Sequence, residues 1–488
     1  MARQEAICDR LSHQGNTGEA RGEAVVSTIF QPRHLARLLS RRLNIAVVTA
    51  VSLAALAATP SFAATKVQRI VTPGGIEAQF VQDATVPVIA MEYAFGGGAA
   101  QDPKDKSGTA NMVASLMDEG AGDLDSAAFR DRMERRAIEL NFTAQRDYLR
   151  GSLRMLKEHR DEAFELARLA LTSPRFDARD VERIRAQILS GLRRETSNPN
   201  SLATRKFLEV AFGDHPYSRP SNGSLIDVPK ITVDDIKAYK QRVVAKDTLK
   251  IAVVGDIDPA SLAQLLDKTF GALPAKADLV PVPEVTVSKP PQKSFVVLDV
   301  PQTVITFGTP GLKRDDPNFM AAYIVNHILG GGTLSSRLYH EVREKRGLAY
   351  SVSSSLIWMQ RSGLWIGNTA TRADRATDTI DTVTAEVKRL AEEGPTQKEL
   401  DEAKSYLNGS QMLALDSSSK LAGAMLQYQL DNLPIDYIEK RSAIVAAVTL
   451  DQAKAAAKRL WADGLLSVVV GRAAQATAQP VAPAPKAN

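Results

Sequence analysis

Three blocks of this chain occur twice at a nearly constant distance, and no other feature narrows its possible folds so far. VIAMEYAFGGGAAQDP at 88–103 is echoed by VITFGTPGLKRDDP at 304–317, ITVDDIKAYKQRV at 231–243 by VTLDQAKAAAKRL at 448–460, and AVVGD at 252–256 by VVVGR at 468–472. The offsets are 214 from Pro103 to Pro317, 217 from Thr232 to Thr449 and 216 from Gly255 to Gly471. Chance matches would not keep one spacing across three blocks, so the chain reads as a tandem duplication. Its 488 residues are also too many for one ordinary domain.

Each copy mixes strand and helix periodicities. In the first, 67–81 reads as a hairpin around Pro73-Gly74-Gly75 and 86–95 as a mostly apolar strand. Helices are expected at 108–119 and 126–137, strands at 140–144 and 149–153, then helices at 160–171, 178–196, 201–212 and 233–243, the last capped by Thr232. A strand at 249–254 closes the copy at Gly255. The expected fold class is α+β, with two tandem homologous α/β-sandwich lobes, each an antiparallel-rich sheet with helices, spanning 65–273 and 293–472. Between them 274–292 carries Pro281, Pro283 and Pro290 and reads as a stiff, extended connector that holds the lobes apart. Residues 473–488 are Ala/Pro-rich and read as a disordered tail.

The formal charge of +5 does not imply a nucleic-acid face, because residues 1–63 hold seven Arg against four acidic residues and leave only about +2 for the rest. Arg41 and Arg42 precede an apolar run at 43–58 and then Thr59-Pro60-Ser61-Phe62-Ala63, the pattern of a secretory signal cleaved after Ala63. That run is short for a bilayer span, so no stable membrane insertion is expected after cleavage. The forty residues ahead of Arg41 form an unusually long leader for such a signal. The single cysteine, Cys8, would leave with it, and a thiol-free mature protein fits the periplasm or cell exterior.

Residues 329–355, LGGGTLSSRLYHEVREKRGLAYSVSSS, carry the chemistry. Gly330, Gly331 and Gly332 open the stretch as a candidate substrate-binding loop, Ser335 and Ser336 can cap a helix over 337–345, and Gly347 can end it before a strand at 349–353. Arg343 falls in the last helical turn and Tyr350 at the start of the strand. The intervening turn can therefore aim a guanidinium and a phenol at one place, as sites for a peptide carbonyl or oxyanion do.

The duplicated α+β copies, the proline-rich connector and GGGTLSSRLYHEVREKRGLAYSV together resemble the insulinase-like metalloprotease family, also called pitrilysin or M16. The resemblance implies two lobes closing like a clamshell on an extended peptide, a zinc site in the first lobe, and an Arg and a Tyr seven residues apart in the second. Arg343 and Tyr350 have that spacing. Members that cleave peptides carry H-x-x-E-H on the first helix, where two histidines bind zinc and the glutamate polarises the attacking water. Here the matching positions are Asn111, Ala114 and Ser115, and the neighbourhood of the third ligand reads Leu189-Ser190-Gly191. The motifs starting at His159 and His340 lack a second histidine, while His215 lies in a turn and His327 on an apolar helical face.

The chain is therefore expected to hold no metal of its own, with zinc in a partner. The resemblance implies a non-catalytic subunit of a periplasmic heterodimeric zinc metallopeptidase. It would be inactive alone and active only with a sister subunit carrying H-x-x-E-H, Arg343 and Tyr350 acting on an extended peptide substrate. The alternative is a structural or peptide-binding subunit with no part in chemistry, for which the strand at 140–144 is a candidate edge for strand addition.

Overall fold

A computed structural model describes residues 66–472; the expected signal at 1–63, Cys8 and the tail at 473–488 lie outside the described residues. Edge strands with alternating buried and exposed side chains and central strands buried almost throughout build two sheets. The first half contributes β1 (Gln68–Val71), β2 (Glu77–Gln82), β3 (Val88–Gly96), α1 (Thr109–Ala114), α2 (Ser126–Arg135), β4 (Glu139–Ala144), β5 (Tyr148–Leu156), α3 (Arg160–Thr172), α4 (Ala178–Glu195), α5 (Pro199–Phe212), α6 (Val233–Val243), β6 (Lys250–Gly255) and α7 (Pro259–Phe270). The second contributes β7 (Gln292–Val297), β8 (Gln302–Pro310), α8 (Phe319–Asn326), β9 (Ala349–Met359), β10 (Ser362–Arg372), α9 (Ala376–Glu393), α10 (Gln397–Ala414), α11 (Ser418–Leu430), α12 (Tyr437–Ala447), α13 (Leu450–Trp461) and β11 (Leu466–Gly471).

The two sheets are built alike. The first runs β1-β2-β6-β3-β5-β4 and the second β7-β11-β8-β10-β9. In each, one parallel pair (β2 with β6, β7 with β11) is followed by antiparallel pairings out to a hairpin, leaving β4 and β9 as edges. Caps repeat as well. Thr232 and Asp235 form a capping box at α6, and Thr449 and Gln452 form one at α13. The α+β, two-lobed architecture expected from the repeated blocks is the one observed.

Helix exchange joins the halves. On β3, Ile89, Met91, Tyr93 and Phe95 face the first half's own core, whereas Ala94, with Ala252 and Val254 of β6, packs against Ala422, Met425, Leu426 and Leu430 of α11 from the second half. Conversely, Ala203, Phe207 and Ala211 of α5 pack against Val304, Leu466, Val468 and Val470 of the second sheet. Since α5 and α11 occupy equivalent places in their halves, each sheet is covered on one face by its own helices and on the other by its neighbour's helix.

This corrects the expected role of the connector. Val287 is buried in the interface between α5 and the second sheet, Ser288 N–H donates to Ala211 O at 2.9 Å and Val285 N–H to Arg361 O at 2.9 Å. The connector straps down a joined pair of lobes; it does not hold them apart. Two other differences are local. The first helix stops at Ala114, not near 119, and continues as hydrogen-bonded turns, Leu116 and Met117 N–H both donating to Val113 O at 3.1 Å, before Gly120 and Gly122 take positive φ. Helices α7 and α12 lie outside the expected elements.

Candidate functional site

The stretch from α8 to β9 turns on two wide helical coils. The residues after α8 continue as a π-helix, His327–Gly331, with Gly332 N–H donating to His327 O at 2.8 Å. After a 3₁₀ turn, Thr333–Ser335, a second π-helix runs Tyr339–Glu344, with Lys345 N–H donating to His340 O at 3.0 Å. The expected helix is thus present but wider than α over most of its length. Such π segments recur at functional sites. Ser336 is its N-terminal anchor: its hydroxyl donates to Thr333 O at 2.8 Å and accepts from Tyr339 N–H at 3.4 Å.

The glycines between the coils are accounted for by close packing. A Cβ on Gly330 would strike Ser354 on β9, whose backbone N lies 3.0 Å from that point; one on Gly331 would meet Asn326 Nδ2 at 2.8 Å. Asn326 is the hub beneath them, accepting at Oδ1 from Ser354 Oγ at 2.9 Å and from Trp365 Nε1 at 2.8 Å. Gly330 is buried, whereas Gly331 is exposed and Gly332 half-buried.

The charged residues of the second coil are almost all committed. Arg337 donates to Glu399 at 2.6 and 2.8 Å and reaches Glu386 at 3.5 Å, tying the coil to α9 and α10. Glu341 pairs with Lys345 at 2.7 Å and Arg346 at 2.5 Å. Burial pushes its carboxyl up, but these hydrogen bonds outweigh that and hold it at about 2. His340 Nδ1 lies 2.6 Å from Glu344. Arg343 alone among the cations of this coil pairs with no carboxylate of the described residues. Its guanidinium lies 4.9 Å from the ring centre of Tyr339 and 4.7 Å from that of Tyr350, and Tyr350 is 81% exposed. Cation–π contact fixes the guanidinium without spending its five donors. Arg343 and Tyr350 therefore stand together at the open start of the edge strand β9. The guanidinium lies over the ring face, not beside the hydroxyl.

The first half offers no counterpart to a metal site. Asn111, Ala114 and Ser115 on and just after α1 present an amide, a buried methyl and a hydroxyl, and Ser190 on α4 accepts from Arg194 at 3.0 Å. This donor set does not fit zinc, which takes imidazole, thiolate or carboxylate. Among the described residues no three His, Cys, Asp or Glu side chains cluster as metal ligands. The histidines are employed elsewhere. His215 Nε2 lies 3.0 Å from Pro283 O while its Nδ1 accepts from Tyr217 N–H at 3.2 Å; His327 stacks on Tyr406 at 4.9 Å; and His159 lies 3.6 Å from Glu158.

Fold and site together describe a two-lobed scaffold in which the described residues form no metal-ligand cluster, and comparison with known proteins identifies the scaffold. The family model "Insulinase (Peptidase family M16)" matches residues 80–224, and "Peptidase M16 inactive domain" matches 230–407. A crystal structure of a peptidase M16 inactive domain from Pseudomonas fluorescens is 30% identical, covering 84% of this chain and 98% of its own, with a TM-score of 0.79. The non-peptidase homolog YmxG of Helicobacter pylori is 29% identical over 371 residues, 74% of this chain and 85% of its own. An uncharacterized zinc protease of Mycobacterium tuberculosis is 27% identical over 409 residues, 83% of this chain and 93% of its own. The chain belongs to the insulinase-like M16 peptidase family, and it is a member without the H-x-x-E-H motif.

Proposed function

We propose that the chain is the non-catalytic subunit of a periplasmic heterodimeric M16 peptidase, lending Arg343 and Tyr350 to a sister subunit that carries H-x-x-E-H. The observation that carries this reading is the state of Arg343: an uncommitted guanidinium held between two tyrosine rings, one of them open to solvent. A group kept for stability alone would find a carboxylate, as Arg337, Lys345 and Arg346 do. In this reading the metal and the attacking water belong to the sister. On this chain, the Tyr350 hydroxyl donates to the oxyanion developing on the scissile carbonyl, and Arg343 holds a neighbouring carbonyl of the extended peptide. Preformed donors of this kind act most strongly where water is excluded, as a closing cleft would ensure.

The test is reconstitution. The purified chain and an H-x-x-E-H relative from the same organism are assayed separately and mixed on an unstructured peptide. The reading expects hydrolysis from the mixture well above the sum of the two alone, with co-elution on size exclusion. A relative that is fully active alone and gains nothing from the mixture would overturn it.

The second reading, a peptide-gripping or structural subunit with no part in chemistry, is favoured by one observation: β4 is a free edge with alternating exposed side chains. It expects peptide binding by the chain alone and no change in the relative's turnover.

A further inference from the structure

At the far end of β9 from Tyr350, about 30 Å away at roughly 3.3 Å per residue, the two edge hairpins of the molecule meet. The turn Gln145-Arg146-Asp147 joins β4 to β5, and Gln360-Arg361 joins β9 to β10, so the turns repeat a Gln-Arg pair. They are locked together. Asp147 accepts from the Tyr217 hydroxyl and, at 3.1 Å, from Gln360 N–H, while the Tyr217 oxygen accepts from Arg361 N–H at 3.0 Å. With residues 313–315 and the C-terminal end of α11, the turns enclose a cavity of about 490 Å³.

Three guanidiniums line it, and two of them face no paired carboxylate. Arg314 is committed: it donates to Tyr437 Oη at 2.6 Å, lies 4.3 Å from the Phe319 ring centre and stands 3.9 Å from Asp431. Arg146 and Arg150 form no ion pair within the described residues. Arg146 lies 5.5 Å from the Tyr217 ring centre and its Nη1 reaches Met359 Sδ at 3.8 Å, while Arg150 Nη2 donates to the amide oxygen of Gln427. The Nε of each is shut off from solvent without an acceptor. Native interiors rarely leave such donors idle, and an absent ligand is one explanation. Burial pushes both guanidinium pKa values down, as it does for a buried cation short of negative charge.

The carboxylates that line the cavity, Asp147, Asp315 and Asp431, form no ion pair with Arg146 or Arg150. Asp147 is used by Tyr217 and Gln360, and Asp431 accepts from Trp358 Nε1 at 3.0 Å and Gln427 Nε2 at 2.9 Å. Glu92, which faces Arg150, is pushed up to about 7 by burial despite that guanidinium, so it offers only a partial charge at neutral pH. The same carboxylates weigh against a dianion, which they would repel more strongly than a singly charged group. Trp358, Leu430 and Leu433 supply an apolar wall beside the arginines.

We propose that this cavity binds the free α-carboxylate of a short peptide ending in an apolar residue, Arg146 and Arg150 closing on the carboxylate oxygens and Trp358 and Leu433 receiving the side chain. Paired guanidinium donors match a carboxylate's geometry and discriminate against neutral ends. The site lies apart from Arg343 and Tyr350, so it stands or falls independently of the proposed peptidase role.

Calorimetric titration of the full chain with acetyl-Ala-Leu, its C-terminal amide and inorganic phosphate tests this directly. The acid is expected to bind at least tenfold more tightly than the amide and more tightly than phosphate. Arg146→Met and Arg150→Met are each expected to weaken the acid tenfold or more while leaving the amide unaffected. Because either variant could disturb folding, the comparison of acid with amide on the unmodified chain decides the matter. Equal binding of the two, no binding of the acid at millimolar concentration, or tighter binding of phosphate would each overturn the proposal.

Discussion

Replacing Phe207 by alanine measures how far the two halves depend on each other. Phe207 belongs to α5 of the first half, is fully buried, and packs among Val304, Leu466, Val468 and Val470 of the second sheet. Its ring lies over Gly308 of β8, with Cζ only 2.6 Å from where a Gly308 Cβ would stand. Truncating a buried phenylalanine removes its transfer free energy and leaves a cavity, together about 3–5 kcal/mol. Little collapse can relieve this, because β8 is a central strand paired on both sides. Against a stability of roughly 5–15 kcal/mol, the loss is severe. Urea unfolding followed by tryptophan fluorescence and by far-UV circular dichroism is the assay. All three tryptophans, Trp358, Trp365 and Trp461, lie in the second half, so fluorescence reports on the half that Phe207 does not belong to. Both signals should move together to lower urea in one transition. Two separate transitions, or a loss under about 1 kcal/mol, would refute the helix-exchange account.

Four further outcomes follow from the geometry. Asn326→Ala strands Ser354 Oγ and Trp365 Nε1, each costing about 1–3 kcal/mol, and should lower the melting temperature and increase hydrogen exchange through 327–335. Glu341 and Glu399 are both held at about 2 against an ordinary 4.5, so their stabilisation is present above pH 4.5 and fades as pH falls from there toward 2; a thermal-melt series should show that loss, and Arg337→Ala should shrink the Glu399 share. Glu92 is pushed the other way, to about 7, so its contribution is present below pH 4.5 and lost as pH rises through 7; Glu92→Gln should melt higher than the parent at pH 8, with the difference vanishing near pH 4.5. Elemental analysis of the purified chain should find no stoichiometric zinc, and one bound equivalent would contradict the reading of Asn111, Ala114 and Ser115.

Local signals were the legible ones. Thr232 with Asp235 and Thr449 with Gln452 announce their helices because a capping box is contained within four residues. The repeated Asp-Pro pairs at Asp102-Pro103 and Asp316-Pro317 are equally local: Asp102 accepts from Gly108 N–H at 2.7 Å and Ala110 N–H at 2.8 Å at the head of α1, and Asp316 from Asn318 N–H at 2.9 Å at the head of α8. The exchange of α5 and α11 was not legible, since an apolar stripe states that a helix is covered without stating by which sheet. For the same reason the connector was misjudged: proline content reports stiffness, whereas Val287 and Ser288 reveal attachment only in three dimensions. The π-helices share the residue pattern of an ordinary helix. The seven-residue spacing of Arg343 and Tyr350 was legible, but the stacking of the guanidinium on two rings was not, because Tyr339 joins it only through the coil.

The most direct measurement is the turnover of the mixed pair of subunits carrying Tyr350→Phe in this chain. Tyr350 is 81% exposed, so assembly and melting temperature should stay unchanged. Turnover should fall about 100- to 1000-fold, the usual cost of one oxyanion donor. A mixed pair that assembles and hydrolyses peptide at the parent rate would contradict the account.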